Sequence, residues 1–347
     1  MPSPAYTVDP DIAVAATLES RFYRDADAYA ACRERVFARS WQWLGDLGDV
    51  AQPRSLSPRD FLPGLLDEPL LLARDEAGEL RCLSNVCTHR GNVLVKAPCA
   101  AKEIRCGYHS RRFDLAGRMT FMPEFKEARN FPSPADDLPR VPFGEWSGHG
   151  FASIAPVAPL AEFLRDMEAR VAAIPLARMR AARERDRDYA LDAHWALYVE
   201  NYLEGLHIPF VHAGLNEVVD YGAYRSELFR YSNVQLALDK AGNPAAQYWW
   251  VFPNLMLNFY PWGLSLNLVR PDGLARTRVS FRAFVWDESL LDRGAGSSLE
   301  RVEEEDEAIV EAVQRGVRSR FYSRGRYSPT RERGVHHFHR LLCEFLA

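Results

Sequence analysis

Two short segments of this sequence each contain one cysteine and one histidine at close spacing. The first holds Cys87 and His89 in C-T-H, and the second holds Cys106 and His109 in C-G-Y-H, with 16 residues, 90–105, between them. Two adjacent loop tips with this spacing can each offer one thiolate and one imidazole to a common site. Two thiolates on one iron and two imidazoles on the other form a [2Fe–2S] cluster with a higher potential than the all-cysteine type. The first chemistry that the sequence predicts is therefore electron transfer.

Zinc is the alternative metal for two cysteines and two histidines. Zinc fingers, however, group their cysteines in one half of the motif and their histidines in the other, whereas each half is mixed here. Gly91 and Gly107 suit tight loops that bring backbone N–H groups close to sulfur. Six cysteines in 347 residues are too few for a disulfide scaffold, and we expect Cys82 and Cys99 to be structural. An iron–sulfur cluster is the preferred interpretation.

A second group of candidate metal ligands lies in the segment ENYLEGLHIPFVH, which contains Asn201, Glu204, His207 and His212. A helix through Glu204 places His207 three residues on, along the same face. Pro209 is expected to end that helix, and the turn that follows can bring His212 back beside His207. Two histidines and one carboxylate on one face of a metal are typical of non-haem Fe(II) sites, which keep positions open for O2 and substrate. We therefore predict a mononuclear iron site, with Asn201 and Glu204 as catalytic residues beside it.

The carboxylate of this second site must come from elsewhere in the chain. The best candidate is Asp306, in the segment LERVEEEDEAIVEAVQRG. On a helix this aspartate shares one apolar stripe, at spacings of three and four, with Val302, Ile309, Val310, Val313 and Val317. A buried aspartate needs a partner, because an unpaired buried charge is costly. Glu305 is the alternative ligand, and Glu303, Glu304 and Glu307 are expected to face solvent.

Helical periodicity predicts the elements that must position this second group of ligands. We expect helices over 157–183, 188–207 and 298–321, and another near the start of the chain over 17–40. Serines at the end of the loop 294–298 can cap the helix that follows them.

Strand-like alternation predicts the remaining elements. Short β-type runs separated by Gly, Pro and Asp turns occupy residues 41–155, and alternating runs between about 223 and 287 predict an antiparallel sheet. The fold class is therefore α+β, with a small all-β domain inserted in a larger domain whose central antiparallel sheet is flanked by helices. We place the inserted domain at 40–155 and the larger, catalytic domain at 156–347, with a helical segment, 1–39, packing on the latter.

The overall composition limits the classes of protein that the chain can belong to. Hydrophobic residues make up 47% and charged residues 26%, which is the balance of a globular protein with a core. A net charge of -4 does not suggest a nucleic-acid binder or a polybasic membrane-surface protein. The sequence starts without a basic segment followed by an apolar run, and no stretch approaches the ~20 apolar residues that cross a bilayer. We expect a cytoplasmic protein with no nucleic-acid or membrane partner.

With both motifs in one chain, the sequence resembles the α-subunits of the Rieske non-haem iron oxygenases. Residues 40–155 are similar to a Rieske [2Fe–2S] domain, and neither cluster loop has the additional cysteine that respiratory-type Rieske proteins carry. The sequence departs from the family pattern at Ser110, where glycine is more usual, and at His194, where the frequent motif N-W-K reads H-W-A. We expect Ser110 to be tolerated, and His194 to lie at the surface or behind the metal ligands.

The resemblance implies a division of labour between several proteins. A separate NAD(P)H-dependent reductase or ferredoxin supplies electrons, consistent with the lack of a nucleotide-binding glycine motif in this chain. The family's iron ligands correspond to His207, His212 and Asp306, and its bridging acid corresponds to Glu204. Members are commonly trimers, so Glu204 is expected to accept hydrogen bonds from His207 and from His109 of the neighbouring subunit.

The type of acid at position 204 also indicates the class of substrate. Ring-dihydroxylating members typically have aspartate at this position, and glutamate within ENYLEGLH resembles the choline- and carnitine-monooxygenase-like branch. The resemblance implies hydroxylation or N-demethylation of a small quaternary or methylated amine, with oxygenation of an aromatic or other apolar substrate as the alternative. A third interpretation is a non-catalytic Rieske electron-transfer protein, for which residues 40–155 are sufficient. Aromatic residues of the predicted sheet could line a pocket, although each is more expected in the core: Trp249, Trp250, Phe252, Phe259, Tyr260 and Trp262.

Overall fold

The computed structural model describes residues 6–291, 293, 295 and 299–347. The chain divides into two compact units, one formed by Ala38–Val157 and the other by Met1–Phe37 together with Ala158–Ala347. An all-β unit is thus inserted in the sequence of a larger α+β unit. The predicted domain limits lie two residues from these borders and stay predictions.

The strands of the Ala38–Val157 unit, all of whose residues are described, form three small antiparallel sheets. They are β1 (Gln42–Asp46), β2 (Ser55–Phe61), β3 (Glu68–Arg74), β4 (Leu80–Ser84), β5 (Cys99–Ala100), β6 (Ile104–Arg105), β7 (Arg112–Phe113), β8 (Met119–Phe121), β9 (Phe143–Trp146) and β10 (His149–Ala152). One sheet has the order β1, β10, β9, the second β4, β3, β2, β5, and the third β6, β7, β8. The core of this unit joins Leu71, Leu83 and Phe113 to Cys87 and Cys106, so both cysteines are anchored in it.

The central sheet of the larger unit is antiparallel, which confirms the predicted sheet. Its strands, within the described residues, are β11 (Arg180–Ala181), β12 (Arg187–Leu191), β13 (Arg225–Leu228), β14 (Ser232–Leu238), β15 (Pro244–Val251), β16 (Leu255–Tyr260), β17 (Gly263–Pro271) and β18 (Thr277–Val285). The order across the sheet is β11, β18, β17, β16, β15, β14, β13, and β12 also pairs with β18. Every residue of β16 is buried, because this middle strand is covered on both faces.

The helices are shorter than the sequence suggests. In the part of the chain that is described they are α1 (Ala26–Ala31), α2 (Leu160–Val171), α3 (Trp195–Tyr202), α4 (Ile208–Val211), α5 (Ala213–Val218), α6 (Leu299–Gly316) and α7 (Arg333–Leu346). The segment 17–40 is not one helix, because Asp25 caps the start of α1 and α1 continues into a π-helical turn, Cys32–Phe37. The serines predicted to cap α6, at 297–298, lie outside the described residues. No helix among the residues described is long and apolar enough to span a bilayer.

Two predictions about residues 188–207 are wrong. Residues 188–191 belong to β12, which pairs with β18, and α3 begins at Trp195. His194, expected at the surface or behind the metal ligands, instead caps α3 by accepting a hydrogen bond at Nδ1 from the backbone N–H of Ala196 at 3.3 Å. The ring is fully buried against Phe22, and burial lowers the pKa of His194 to about 3. His194 is therefore a neutral residue of the core.

Candidate metal centres

The four candidate cluster ligands lie on two loops of the all-β unit. Cys87 and His89 follow β4, and Cys106 and His109 follow β6. Each loop is closed by a backbone hydrogen bond, one of 2.9 Å to the carbonyl of Cys87 and one of 3.1 Å to the carbonyl of Cys106. Both cysteines are buried, and the centroids of the two imidazole rings lie 4.7 Å apart. The loops therefore bring the two imidazoles close together and keep both thiols buried.

The donor atoms of this group suit an iron–sulfur cluster. The Nδ1 atoms of His89 and His109 are buried and have no hydrogen-bond partner among the described residues, which is rare for a ring nitrogen unless a ligand uses its lone pair. The backbone N–H of Tyr108 and the side-chain amide of Asn92 donate to the sulfur of Cys106 at 3.5 and 3.6 Å. Burial raises the pKa of Cys106, but N–H donors of this kind outweigh it and lower the pKa overall. They stabilise the thiolate that iron requires.

An ion pair that the sequence did not reveal supports the two cluster loops. Arg111, two residues after His109, is 2% exposed and donates to the carboxylate of Asp136 at 2.5 Å. The backbone carbonyl of Asp136 accepts a hydrogen bond of 2.7 Å from the hydroxyl of Thr88, which lies within the first loop. Asp136 is therefore bonded to both loops. The one signal in the sequence is an arginine two residues before Phe113, which is fully buried.

Ser110 is the other position at which the sequence departs from the family pattern. Its φ is 60°, the left-handed backbone region that favours glycine. A side chain in this conformation costs about 1 kcal/mol. The Ser110 hydroxyl accepts a hydrogen bond from Arg105 at 3.0 Å, so the serine side chain has a partner in the loop.

His207 and His212 stand at the two ends of the single-turn helix α4. The prediction that Pro209 ends the preceding helix is wrong, because α3 already ends at Tyr202 and Pro209 lies in the first turn of α4. Proline suits that position, since the first N–H groups of a helix have no intrahelical partner. The turn brings the two imidazole rings to a centroid distance of 5.0 Å.

Asp306, on α6, completes a group of three candidate metal ligands. Its Oδ1 lies 3.1 Å from Nε2 of His212 and 3.7 Å from Nε2 of His207. Ligand atoms of the three residues all lie within 4.8 Å of one another. Asn201, on α3, donates to the same Oδ1 at 2.6 Å. Two imidazole nitrogens and a carboxylate oxygen that converge in this way suit the facial coordination of Fe(II).

The other nitrogen of each imidazole contacts a different glutamate. Nδ1 of His207 lies 2.5 Å from Oε1 of Glu204, and Nδ1 of His212 lies 2.8 Å from Oε2 of Glu305. Such carboxylates hold the proton on Nδ1 and leave Nε2 for a metal. Burial lowers the pKa of His212, but the carboxylates of Asp306 and Glu305 outweigh it and raise the pKa overall. Glu305 therefore lies behind His212, whereas Asp306 lies on the side of the converging nitrogens.

Helix α6 is turned relative to the predicted buried stripe. Ile309 and Val313 are 40% and 42% exposed, whereas Glu303, expected in solvent, is 4% exposed. The hydroxyl of Tyr198 donates to Oε2 of Glu303 at 2.7 Å, which allows the carboxyl group to be buried. The sequence pattern took account only of the apolar residues of α6, and it could not include the partner Tyr198, which belongs to α3.

A cavity of about 100 Å³ opens beside Asp306 and the two histidines. It has room for several waters, and so for a small organic group. Its aromatic lining residues are Tyr198, Tyr202, Tyr224, Tyr248, Tyr260 and Phe281. The described lining residues include three carboxyl groups, those of Glu204, Glu303 and Asp306, and neither lysine nor arginine. Of the sheet aromatics considered from the sequence, Tyr260 lines this cavity, whereas Trp249 and Trp250 are fully buried.

Comparison with known proteins agrees with both sites. Residues 46–132 match the Rieske [2Fe-2S] domain, and residues 225–347 match the ring hydroxylating alpha subunit (catalytic domain). The chain is 29% identical to the chloroplastic choline monooxygenase of Arabidopsis thaliana, over 96% of this chain and 84% of that protein. It is also 29% identical to the carnitine monooxygenase oxygenase subunit of Escherichia coli (strain K12), over 94% and 93% of the two chains. The structure of a quaternary ammonium Rieske monooxygenase has the same fold, with a TM-score of 0.81 at 22% identity and coverage of 98% and 100%.

A Rieske domain followed in one chain by a ring-hydroxylating catalytic domain defines an oxygenase that carries a [2Fe–2S] cluster and a mononuclear iron. The chain is an α-subunit of the Rieske non-haem iron oxygenases, similar over nearly its whole length to choline and carnitine monooxygenases. Enzymes of this family need an external supply of electrons and act on small molecules. These findings confirm the predicted family, fold class and cofactors, while the roles of individual residues stay predictions.

Proposed function

We propose that this chain is the terminal oxygenase that hydroxylates or oxidatively N-demethylates a small quaternary or methylated amine. The observation that carries the proposal is the cavity beside His207, His212 and Asp306, with its tyrosines and three carboxyl groups. Aromatic faces and carboxylates both attract a cationic head group. The names of the relatives, choline monooxygenase and quaternary ammonium monooxygenase, support the same class of substrate. Because no lysine or arginine is among the described lining residues, a simple cation fits better than a zwitterion.

In this proposal the Nε2 atoms of His207 and His212 and a carboxylate oxygen of Asp306 hold the mononuclear iron. The bound iron supplies the activation of O2 for attack on a substrate C–H bond. Glu204 keeps the ring proton of His207 on Nδ1, and the side-chain amide of Asn201 orients the carboxylate of Asp306. The tyrosine walls bind the substrate and exclude bulk water.

Electrons enter through the cluster, which Cys87, His89, Cys106 and His109 hold in this proposal. A separate NAD(P)H-dependent reductase or a ferredoxin reduces it. We infer a homotrimer in which His109 of one subunit approaches Glu204 of the next, and inter-subunit electron transfer is described for the quaternary ammonium monooxygenase of the same fold. A cytoplasmic location stays a prediction.

The two other interpretations of the sequence have less support. An aromatic substrate carries no positive charge to set against the carboxyl groups of the cavity wall, and an unmatched buried charge is unfavourable. A protein that only transfers electrons is excluded, because the chain contains the ring-hydroxylating catalytic domain as well.

Turnover assays with the holoenzyme test the proposal. A competent NAD(P)H-dependent reductase is added, and O2 uptake and formaldehyde or alcohol products are measured with choline, N,N-dimethylethanolamine, toluene and indole. We expect coupled O2 uptake with the amines and little with the arenes. Product from the arenes without product from the amines would contradict the proposed substrate class.

A further inference from the structure

We propose that Glu303 is the residue that makes this cavity select a positively charged substrate group, an inference that rests on the proposed function. Glu303 lies on α6, one turn before Asp306, and it lines the cavity. Its side chain is in the wall of the substrate cavity without being one of the three candidate iron ligands.

The carboxyl group of Glu303 has one oxygen to spare. Oε2 accepts the hydrogen bond from Tyr198, whereas the buried Oε1 has no partner among the described residues. Glu303 is 96% buried, since its exposure is 4%. A buried carboxyl oxygen without a partner is costly, so this position is suited to a ligand that supplies positive charge.

The other two carboxyl groups of the cavity are already engaged. Glu204 contacts Nδ1 of His207, and Asp306 lies between the two imidazoles and accepts from Asn201. Glu303 is therefore the lining carboxyl group, among those described, whose charge remains for the substrate.

The sum of the charges around the proposed iron also indicates that the charge of Glu303 remains for the substrate. A bound Fe(II) contributes two positive charges, which the carboxylates of Glu204 and Asp306 balance. Glu305, behind His212, is paired with Arg301 at 3.1 Å. When Glu303 is ionised, its carboxylate then decides the sign of the cavity and makes it negative. Without that carboxylate, the cavity holds a neutral metal group surrounded by phenol rings.

Ionisation of Glu303 is coupled to the arrival of a cation. Burial raises the pKa of Glu303 well above its usual range, whereas the hydrogen bond from Tyr198 lowers it. A positive charge in the cavity favours the ionised form and opposes the effect of burial. A neutral ligand of the same shape offers no such compensation, so the carboxyl group discriminates by charge and not by size.

The test compares a cation with its neutral isostere. Binding of choline and of 3,3-dimethylbutan-1-ol, in which carbon replaces the nitrogen, is measured by calorimetry on the holoenzyme. The proteins are the wild type, Glu303→Gln, Glu303→Asp and Glu304→Gln. Glu304 is an exposed acid on the same helix that does not line the cavity, so its replacement removes the same charge without touching the site.

For Glu303→Gln we expect choline to bind at least about tenfold more weakly, while binding of the isostere changes less than about twofold. Glu303→Asp should lie between glutamine and the wild type, and Glu304→Gln should match the wild type. The cluster absorbance and the iron content of Glu303→Gln should remain those of the wild type.

Equal weakening of both ligands, or no weakening of either, would refute the role of Glu303 and leave the substrate class untouched. Loss of iron from Glu303→Gln would also refute it, because it would make the residue part of the metal site. A wild type that binds the isostere as well as choline would overturn both the proposed substrate class and this inference.

Discussion

Asp306 and Glu305 are adjacent acids on α6 that both contact His212, so replacing each by its amide tests the metal site directly. Asp306→Asn removes the carboxylate whose Oδ1 lies 3.1 Å from Nε2 of His212 and 3.7 Å from Nε2 of His207. Glu305→Gln removes the carboxylate that lies 2.8 Å from Nδ1 on the opposite side of the same ring. The two variants lose the same charge one residue apart, so a difference in their iron binding reports the different roles of the two carboxylates.

The expected magnitudes differ. Loss of the outer carboxylate in Glu305→Gln should weaken iron binding about 10–100-fold, which corresponds to about 1.4–2.8 kcal/mol. Asp306→Asn removes the one anionic ligand of the proposed site, so we expect a loss well beyond that range. The third iron of the chain should then be absent from the purified protein, with the two irons of the cluster still present.

Iron per chain, measured by mass spectrometry and compared with the cluster absorbance, separates the two variants. We expect about two irons for Asp306→Asn. Glu305→Gln should retain about three, and should lose the third at a lower chelator concentration than the wild type. A third iron retained in Asp306→Asn and lost in Glu305→Gln would exchange the two roles. Full retention in both variants would mean that the third ligand lies elsewhere.

Two further variants test the supports of the metal centres. Glu204→Gln should keep the cluster spectrum but lower product formation about 10–100-fold, because His207 loses the carboxylate on Nδ1. Replacement of the exposed Glu217 by glutamine is the control. Normal turnover in Glu204→Gln would refute the bridging role. Arg111→Leu should destabilise the all-β unit by about 3 kcal/mol, the lower end for breaking a buried ion pair, since Asp136 remains 21% exposed. Cluster absorbance should then be lost at a lower temperature on heating, whereas Arg112→Leu, which breaks a half-exposed pair, should change it little.

The cluster motif could be predicted because its information is local. Cys87 and His89 are two residues apart, Cys106 and His109 three, and a short loop restricts where their side chains can lie. The same holds for the pair His207 and His212, which one helical turn joins. Ligand type and spacing were therefore enough to predict the chemistry, and with it the family and both cofactors.

Tertiary structure decided which acids join these sites. Asp306 and Asn201 are 105 positions apart and meet because α3 and α6 pack against each other. The same packing buries Glu303 beneath Tyr198 and turns Ile309 and Val313 to solvent, against the sequence pattern. It also leaves Glu305 behind His212.

Strand pairing likewise decided where helices and strands begin and end. Residues 188–191 look helical in isolation, but hydrogen bonding to β18 makes them strand β12, and His194 then begins α3 as a buried cap. Apolar spacing along a chain restricts an element to a few orientations of similar energy. The free energy that selects one of them comes from partners far away in sequence, and for Glu303 that partner is a single tyrosine hydroxyl.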